Sequence, residues 1–153
     1  MNPPPKTPIL VVEDSDEDFA TLMRIFRKLD VVQPVTRCVN AGDCLDYLHA
    51  TGRHSGRQKE ALPALVLLDL NLPGMDGHGV LRHVKATLPL KRLPVVIITT
   101  SSNPKDIQQC YDEGASSYLI KPVDYATFEQ TIRRLVEYWF HAVQLPSPDE
   151  QFS

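Results

Sequence analysis

Cysteine is scarce in this sequence, and the spacing of its three thiols fits reduced side chains better than a disulfide framework or a zinc site. Cys38, Cys44 and Cys110 form no Cys-x-x-Cys pair. An odd number of cysteines at such spacings is typical of reduced thiols. We therefore expect all three to be structural side chains, buried or half-buried in the fold.

An excess of positive charge is also missing. The sequence has 16 Lys and Arg residues against 19 Asp and Glu residues, a net charge of -3, with no run of basic residues. General nucleic-acid binders and membrane-surface binders need concentrated positive charge to neutralise phosphate groups. The charge balance therefore argues against both classes.

No apolar run approaches the roughly 20 residues that cross a bilayer. The purest run, Ala64–Leu68, is broken by Asp69, and Met1–Pro8 lacks an apolar signal segment. The phosphate-binding patterns GxGxxG and GxxxxGK(S/T) are absent too, which argues against a nucleotide-binding or flavin-binding module. We expect a soluble, cytoplasmic protein, and 153 residues are enough for one compact domain.

Short β-branched apolar runs alternate along the chain with longer segments of helical period. This alternation is typical of βαβ units on a parallel sheet. The third and fourth runs are apolar throughout, as expected of central strands covered by helices on both faces. The five predicted strands are Ile9–Val12, Val35–Val39, Leu65–Leu68, Val95–Ile98 and Ser117–Ile120.

Apolar residues at helical spacing predict five helices between and after these strands. The polar stretch Thr51–Glu60 is expected to form an exposed loop before the third strand. The helices are a first one behind Asp16, then Ala41–Leu48, a third containing Val80 to Leu88, a fourth around Ile107–Tyr111 that Asn103 and Pro104 introduce, and a long fifth from Tyr125.

Three carboxylates follow the predicted strands directly. Glu13 and Asp14 come after the first strand, and Asp69 comes after the third. In an open parallel sheet, ligands bind outside the carboxyl ends of the strands, at the point where the strand order reverses. If the first and third strands are neighbours, the carboxylates converge and repel one another unless a cation lies among them. A few hard oxygen ligands with room for water suit Mg²⁺.

Two other strand ends carry complementary groups. The hydroxyls of Thr99 and Thr100 can donate to an anionic oxygen, and Lys121 supplies an ammonium. Together with a metal ion they would cradle a phosphoryl group carried by one carboxylate. The carbonyl of Asn71, in the tight turn after Asp69, could reach the metal. Each residue alone has a simpler explanation: an acid that caps a helix, a lysine that only neutralises, or a threonine that satisfies the backbone.

Four motifs in this order resemble the receiver domain of two-component response regulators. The likeness covers about Ile9–Val136, and it implies a flavodoxin-like, doubly wound fold with five parallel strands in the order 2-1-3-4-5. The motifs are Val11-Val12-Glu13-Asp14-Ser15, the run Leu67-Leu68-Asp69-Leu70-Asn71-Leu72-Pro73-Gly74-Met75-Asp76-Gly77, then Pro94-Val95-Val96-Ile97-Ile98-Thr99-Thr100 and Gly114-Ala115-Ser116-Ser117-Tyr118-Leu119-Ile120-Lys121-Pro122.

The resemblance implies a role for each acidic residue. Asp69 matches the aspartate that accepts phosphate from a histidine kinase. Asp14 and the backbone carbonyl of Asn71 match the direct Mg²⁺ ligands alongside Asp69, while Glu13 matches the acidic residue that acts through water.

The remaining matches are the groups that bind the phosphoryl oxygens and respond to them. Thr99 matches the hydroxyl residue that turns toward the phosphoryl group, and Lys121 matches its ammonium partner. Tyr118 matches the aromatic residue that turns inward as Thr99 moves. The simpler alternative for Tyr118 is an ordinary half-buried tyrosine on an edge strand.

Two departures from a minimal receiver, together with a third feature, resemble one subfamily, the small stand-alone response regulators paired with phytochrome-type sensor kinases. These are the longer loop before Leu65, the Thr99-Thr100-Ser101 run and the tail Glu137–Phe140 followed by Gln144–Ser147. A sensor histidine kinase of that type is the expected partner.

The expected function is that of a phosphorylation switch rather than an enzyme. The 31 residues after Pro122 leave no room for a helix-turn-helix domain, so the signal should leave through contacts with a protein such as a downstream phosphotransfer protein. An aspartyl-phosphate hydrolase needs a second carboxyl group two residues after the nucleophile, where this chain has Asn71. A non-phosphorylated interaction module of the same fold is the other alternative.

The C-terminal helix predicts a homodimer. We expect residues 1–8 to be a disordered lead, residues 9–136 to form the receiver domain, and residues 137–153 to be a helical extension and tail. A helix from Tyr125 to Gln144 would run past the sheet and expose the apolar row Val136, Phe140 and Val143, which a second copy would cover. The alternative is a tail that folds back on its own domain.

Overall fold

The computed structural model describes residues 7–59 and 61–146. Its sheet is parallel throughout, in the order β2-β1-β3-β4-β5, which confirms the predicted fold. The strands are β1 (Ile9–Val12), β2 (Val35–Cys38), β3 (Leu65–Leu68), β4 (Val95–Thr99) and β5 (Ser117–Ile120). Two ends differ by one residue from the prediction, since Val39 lies outside β2 and Thr99 lies inside β4.

Within the described residues, five helices connect and follow the strands, as predicted, with two additional 3-10 turns at Gly52–His54 and Leu90–Arg92. The third helix was predicted to contain Leu88, but it ends at Ala86, since a residue before proline disfavours helical backbone. The helices are α1 (Asp16–Lys28), α2 (Ala41–His49), α3 (Gly77–Ala86), α4 (Pro104–Asp112) and α5 (Tyr125–His141). None of these helices combines the length and the apolar composition that a membrane span requires, within the part of the chain that the structure describes.

Every helix begins with a polar side chain that accepts a hydrogen bond from a free amide of the first turn. The five capping residues are Ser15, Asn40, Asp76, Asn103 and Asp124. Such caps typically contribute about 1 kcal/mol each. Because each of these helices starts shortly after a strand, the caps mark the sheet edge at which the strands end.

The core consists of two apolar layers, one on each face of the sheet. Alternate residues of the central strands point to opposite layers: Ile9 and Val11 face α1 and α5, whereas Leu10 and Val12 face α2, α3 and α4. The layer with α2, α3 and α4 also contains all three cysteines, which are buried free thiols as predicted.

The C-terminal segment departs from the prediction. Helix α5 ends at His141 rather than Gln144, and the amide of Val143 donates to the carbonyl of Tyr138 (3.0 Å), which turns the chain back. Leu145 is consequently buried against the layer formed by α1 and α5.

The prediction that Val136, Phe140 and Val143 form an exposed row for a dimer contact is therefore wrong. Val136 and Phe140 are buried at 7% and 2% exposure, and Val143 packs against the same layer. The expected boundary at residue 136 falls inside α5, whose side chains on both sides of it share one core. Of the expected N-terminal lead, residues 1–6 lie outside the described range, as does the end of the tail from residue 147 onward.

Candidate functional site

The sheet register brings the predicted carboxylates together at the ends of β1 and β3. Val12 pairs with Leu68, so the residues that follow them, Glu13 and Asp69, emerge side by side. The amide of Asp69 donates to the carbonyl of Val12 (3.1 Å), which continues the ladder by one bond. The helix that follows β1 packs on one face of the sheet, and the helix that follows β3 packs on the other face. Open α/β sheets bind ligands at this position, between the ends of two such strands.

Glu13, Asp14 and Asp69 form a cluster in which each offers one carboxylate oxygen within 4.8 Å of the others. Glu13 and Asp69 are buried, whereas Asp14 is exposed and leaves the cluster open to solvent. Hard oxygen donors of this kind suit Mg²⁺ or Mn²⁺, which retain water ligands on the open side. The donor set present therefore fits a divalent metal ion.

Lys121 reaches this cluster from the end of β5. Its Nζ atom donates to Glu13 Oε1 (2.6 Å), Asp69 Oδ2 (2.8 Å) and Asp18 Oδ2 (2.9 Å). Burial by itself would lower the pKa of Lys121, but the hydrogen bonds to these carboxylates outweigh it and raise that pKa. One ammonium thus faces several carboxylates, and the surplus of negative charge favours a bound cation.

Glu13 is the most perturbed acid of the cluster. Burial raises its pKa to about 7, with the negative charge of Asp69 adding to the shift and Lys121 opposing it. Its Oε2 atom accepts from the amide of Ser15 (3.2 Å), and its carbonyl accepts from Arg37 Nε (3.0 Å). The backbone that carries Glu13 and Asp14 is therefore held on both sides.

A tight turn after β3 fixes the carboxylate of Asp69. The amide of Asn71 donates to Asp69 Oδ1 (2.9 Å), while Lys121 occupies Oδ2, so both oxygens are oriented. The amide of Gly77 closes the turn by donating to the carbonyl of Leu70 (2.9 Å). A Cβ atom at Gly77 would lie 2.5 Å from the carbonyl oxygen of Asp69, so only glycine fits there.

The two predicted threonines lie in different environments. Thr99 is fully buried, and its Oγ1 atom accepts a long hydrogen bond from Asn71 Nδ2 (3.4 Å), which places the hydroxyl beside the turn. Thr100 is exposed and lines a cavity of about 270 Å³ together with Asp69 and Lys121. The cavity provides space for a small anion and its water next to the carboxylate.

Tyr118 packs partly buried against the layer with α2, α3 and α4. Its hydroxyl donates to the carbonyl of Ser101 (2.9 Å), in the segment that joins β4 to α4. Ser101 in turn donates to Asp106 Oδ2 (2.6 Å) on α4. Tyr118 is therefore connected to the segment that follows Thr99 and Thr100 rather than to the carboxylates.

Sequence reasoning missed Asp18 as a member of the site. Its carboxylate is the third acceptor of Lys121, and its own amide is capped by Ser15 Oγ (3.1 Å). The signal was present, since an acid in the first turn of α1 must lie near the end of β1. Assigning Asp18 to the site required knowing that Lys121, at the end of β5, reaches back to α1.

Comparison with known proteins agrees with this geometry. The family model described as the response regulator receiver domain matches residues 9–133. The chain is 36% identical over 140 residues to the probable methanogenesis regulatory protein FilR2 of Methanothrix harundinacea, covering 92% of this chain and 88% of that protein. It is 31% identical over 144 residues to the response regulator Rcp1 of Synechocystis sp., covering 94% and 95%.

Solved structures give the same result. The phosphorylated cyanobacterial phytochrome response regulator RcpA superposes with a TM-score of 0.85 at 32% identity, covering 93% of this chain and 99% of that one. The Mn²⁺-bound form of Rcp1 has a TM-score of 0.85 at 30% identity, covering 92% and 99%. By the family match, these similarities and the shared fold, the chain belongs to the receiver domains of response regulators, the signalling proteins of two-component systems.

Proposed function

We propose that Asp69 accepts a phosphoryl group from a phosphorylated histidine of a sensor kinase. The observation that carries this proposal is the position of the Asp69 carboxylate, held between Lys121 Nζ and the amide of Asn71 inside an acidic cluster that is open to solvent. A carboxylate so oriented and so close to a metal-binding cluster is an activated nucleophile.

In the proposed step, an oxygen of Asp69 bonds to phosphorus as the phosphorus–nitrogen bond to the kinase histidine breaks. The electron pair of that bond leaves with the imidazole, which takes up a proton. Asp14, Asp69 and the carbonyl of Asn71 would hold Mg²⁺ directly, and Glu13 would hold it through water. When bound, the metal offsets the repulsion between the carboxylate and the phosphoryl oxygens.

Lys121 supplies the second positive charge. Its ammonium can exchange one of its carboxylate partners for a phosphoryl oxygen with little movement, because it already lies 2.8 Å from Asp69 Oδ2. Thr99 and Thr100 line the same edge of the sheet, and we assign them hydroxyl contacts with the phosphoryl oxygens. Tyr118, linked to Ser101, would report the rearrangement to α4.

Asn71 favours a switch over a hydrolase. A phosphohydrolase with an aspartyl intermediate uses a carboxyl group as general acid and base two residues after the nucleophile. Asn71 cannot take up or release a proton there. We therefore propose that the aspartyl phosphate is lost only by slow self-dephosphorylation.

The relatives support a phytochrome-type sensor kinase as the partner. RcpA is a phytochrome response regulator, and its chain is covered almost completely by this one. The free, buried thiols accord with a reducing compartment, and we place the exchange in the cytoplasm. The output would pass to a downstream phosphotransfer protein or through a homodimer that uses a face other than Val136, Phe140 and Val143.

The proposal is tested by labelling the protein with acetyl phosphate and with phosphorylated histidine kinases, with and without Mg²⁺. We expect an acid-stable, base-labile label that requires Mg²⁺ and is lost in Asp69→Asn. Asp112→Asn, which alters an exposed carboxylate on α4, should be labelled like the wild type. A label of the same stability in folded Asp69→Asn would refute the assignment, and profiling across kinases would identify the partner.

A further inference from the structure

A second group of metal-ligating side chains lies away from the phosphoacceptor site. Cys38 at the end of β2, Asp43 in α2 and His54 in the 3-10 turn each offer one ligand atom, and these three atoms lie within 4.8 Å of one another. We call these three residues the Cys38 cluster. In sequence they are separated by four and ten residues, which explains why no motif indicated them.

The cluster is largely shielded from solvent. Cys38 is fully buried, and the side chains of Asp43 and His54 are only 11% and 12% exposed. Asp43 Oδ1 faces His54 Nε2 at 2.9 Å. One sulfur, one nitrogen and one oxygen donor in such a setting form the mixed set that Zn²⁺ prefers, and three protein ligands leave the fourth tetrahedral position for water.

The contacts of Asp43 are compatible with a metal ligand. Its Oδ2 atom accepts from Arg53 Nη2 (2.6 Å), and Arg53 Nε reaches Oδ1 (2.7 Å). Carboxylates that bind metals are commonly oriented by such an outer hydrogen bond. Arg53 itself is 63% exposed, so its guanidinium can withdraw from Oδ1 while it keeps Oδ2.

We propose that the Cys38 cluster binds one Zn²⁺ ion through Cys38 Sγ, Asp43 Oδ1 and His54 Nε2. Zinc bonds of about 2.0–2.3 Å place neighbouring ligand atoms about 3–4 Å apart, and the three ligand atoms of the cluster lie within 4.8 Å of one another. On binding, Cys38 loses its proton to solvent and His54 binds as the neutral imidazole. The ion would tie the turn Gly52–His54 to the end of β2.

The test uses Co²⁺ as a spectroscopic substitute for Zn²⁺ in the purified full-length protein, with Mg²⁺ in excess to occupy the acidic cluster. We expect one equivalent of Co²⁺ to give thiolate-to-metal charge-transfer absorption and the intense visible bands of tetrahedral coordination, and Zn²⁺ to displace it. The acidic cluster has only oxygen donors and cannot produce the charge-transfer signal, so the two sites are distinguished.

Matched variants assign the signal. Cys38→Ala should abolish the charge-transfer absorption, whereas Cys44→Ala, which removes another fully buried thiol outside the cluster, should retain it. His54→Gln, at the rim, should weaken Zn²⁺ binding at least tenfold in a competition with a chromophoric chelator. Absence of the signal in the folded wild type, its persistence in folded Cys38→Ala, or unchanged affinity in His54→Gln would overturn the proposal. If Cys38→Ala does not fold, the His54→Gln result decides.

Discussion

At the scale of single residues, Lys121 controls the electrostatics of the acidic site. Its ammonium is the shared hydrogen-bond donor of Glu13, Asp18 and Asp69, and its side chain is only 12% exposed. Carboxylates buried without a compensating charge are costly, whereas one well-placed cation satisfies several of them. Lys121 therefore has a structural role in addition to its proposed contact with the phosphoryl group.

Replacing this ammonium should destabilise the protein in the absence of a metal. We expect Lys121→Met to lower the free energy of unfolding by about 2–4 kcal/mol, because the buried carboxyl groups of Glu13 and Asp69 lose their hydrogen-bonded cation. Mg²⁺ should restore part of the loss, since it binds only the folded cluster. Urea unfolding with and without Mg²⁺ measures both effects.

The control is Lys28→Met, which removes an exposed ion pair with Glu129 (2.8 Å) and should leave stability nearly unchanged. A Lys121→Met variant as stable as the wild type, or one that does not respond to Mg²⁺, would show that the carboxylates are not held in this way.

Thr99 should separate phosphorylation from its structural response. We expect Thr99→Ala to be labelled on Asp69 to the same extent as the wild type, because the nucleophile and its charged partners are untouched. Hydrogen exchange in residues 99–120 should then change much less on phosphorylation, since the hydroxyl that would couple the phosphoryl group to Tyr118 is missing. Thr99→Ser should behave like the wild type, and an undiminished exchange response in Thr99→Ala would contradict the coupling.

How far individual residues could be predicted depends on what positions them. Glu13 and Asp69 were recognised because residues at the ends of neighbouring parallel strands must meet, and Lys121 was recognised because it follows another strand of the same sheet and matches a motif of the receiver family. Asp18 was missed because it lies within α1 rather than at the end of a strand, and its role depends on its contact with Lys121. The Cys38 cluster was missed for a related reason, since its members belong to a strand, a helix and a turn whose relative positions no periodicity encodes.

At the scale of elements, Arg57 organises the longest connection of the fold, between α2 and β3. Its guanidinium donates to the carbonyls of Tyr47 (2.7 Å), Leu48 (3.1 Å), Gln58 (2.8 Å) and Ala61 (2.6 Å). It also stacks on the Tyr47 ring, 4.5 Å from its centroid. The loop was predicted to be exposed, and most of its described residues are exposed. The partly buried guanidinium of Arg57 nevertheless attaches it to the end of α2.

Removing the Arg57 guanidinium should make the segment between α2 and β3 more mobile. We expect Arg57→Ala to lower the free energy of unfolding by about 2 kcal/mol, because four backbone carbonyls lose a charged donor. Hydrogen exchange should accelerate in residues 47–61 and remain unchanged around Asp69. Arg57→Lys, which cannot reproduce the planar fork, should recover only part of the stability. Full recovery by lysine would indicate that charge alone holds the loop.

At the scale of the whole molecule, the apolar layer formed by α1 and α5 explains why the C-terminal segment folds back on its own domain. The spacing of apolar residues in α5 was recognised, but the second row was interpreted as a surface for another copy. The helical spacing predicted which apolar residues share one face of α5. It does not specify the residue at which the helix ends. The end of α5 at His141 lets Leu145 complete the layer formed by α1 and α5.

This assignment predicts a stability effect rather than a change of oligomeric state. We expect Phe140→Ala to lower the free energy of unfolding by about 3–5 kcal/mol, because Phe140 is fully buried. Tyr138→Ala, at a position 54% exposed, should cost far less. Light scattering should give the same molar mass for the folded wild type and Phe140→Ala. A dimeric wild type and an equally stable, monomeric variant would restore the dimer contact.

The returning C-terminal segment also places the last described residues close to the first ones. The carbonyl of Pro8 accepts from the amide of Ala64 (2.9 Å), and Pro146 lies beside Ala64 and Pro94 in a small groove. Pro8, Ala64 and Pro94 directly precede β1, β3 and β4, and Pro146 lies beside two of them, whereas Asp69 follows the end of β3. A fluorescent label or a fused module joined near residue 8 or residue 146 would therefore project from the pole opposite the acidic cluster, and a circular permutation that links these two positions would leave the approach to Asp69 open.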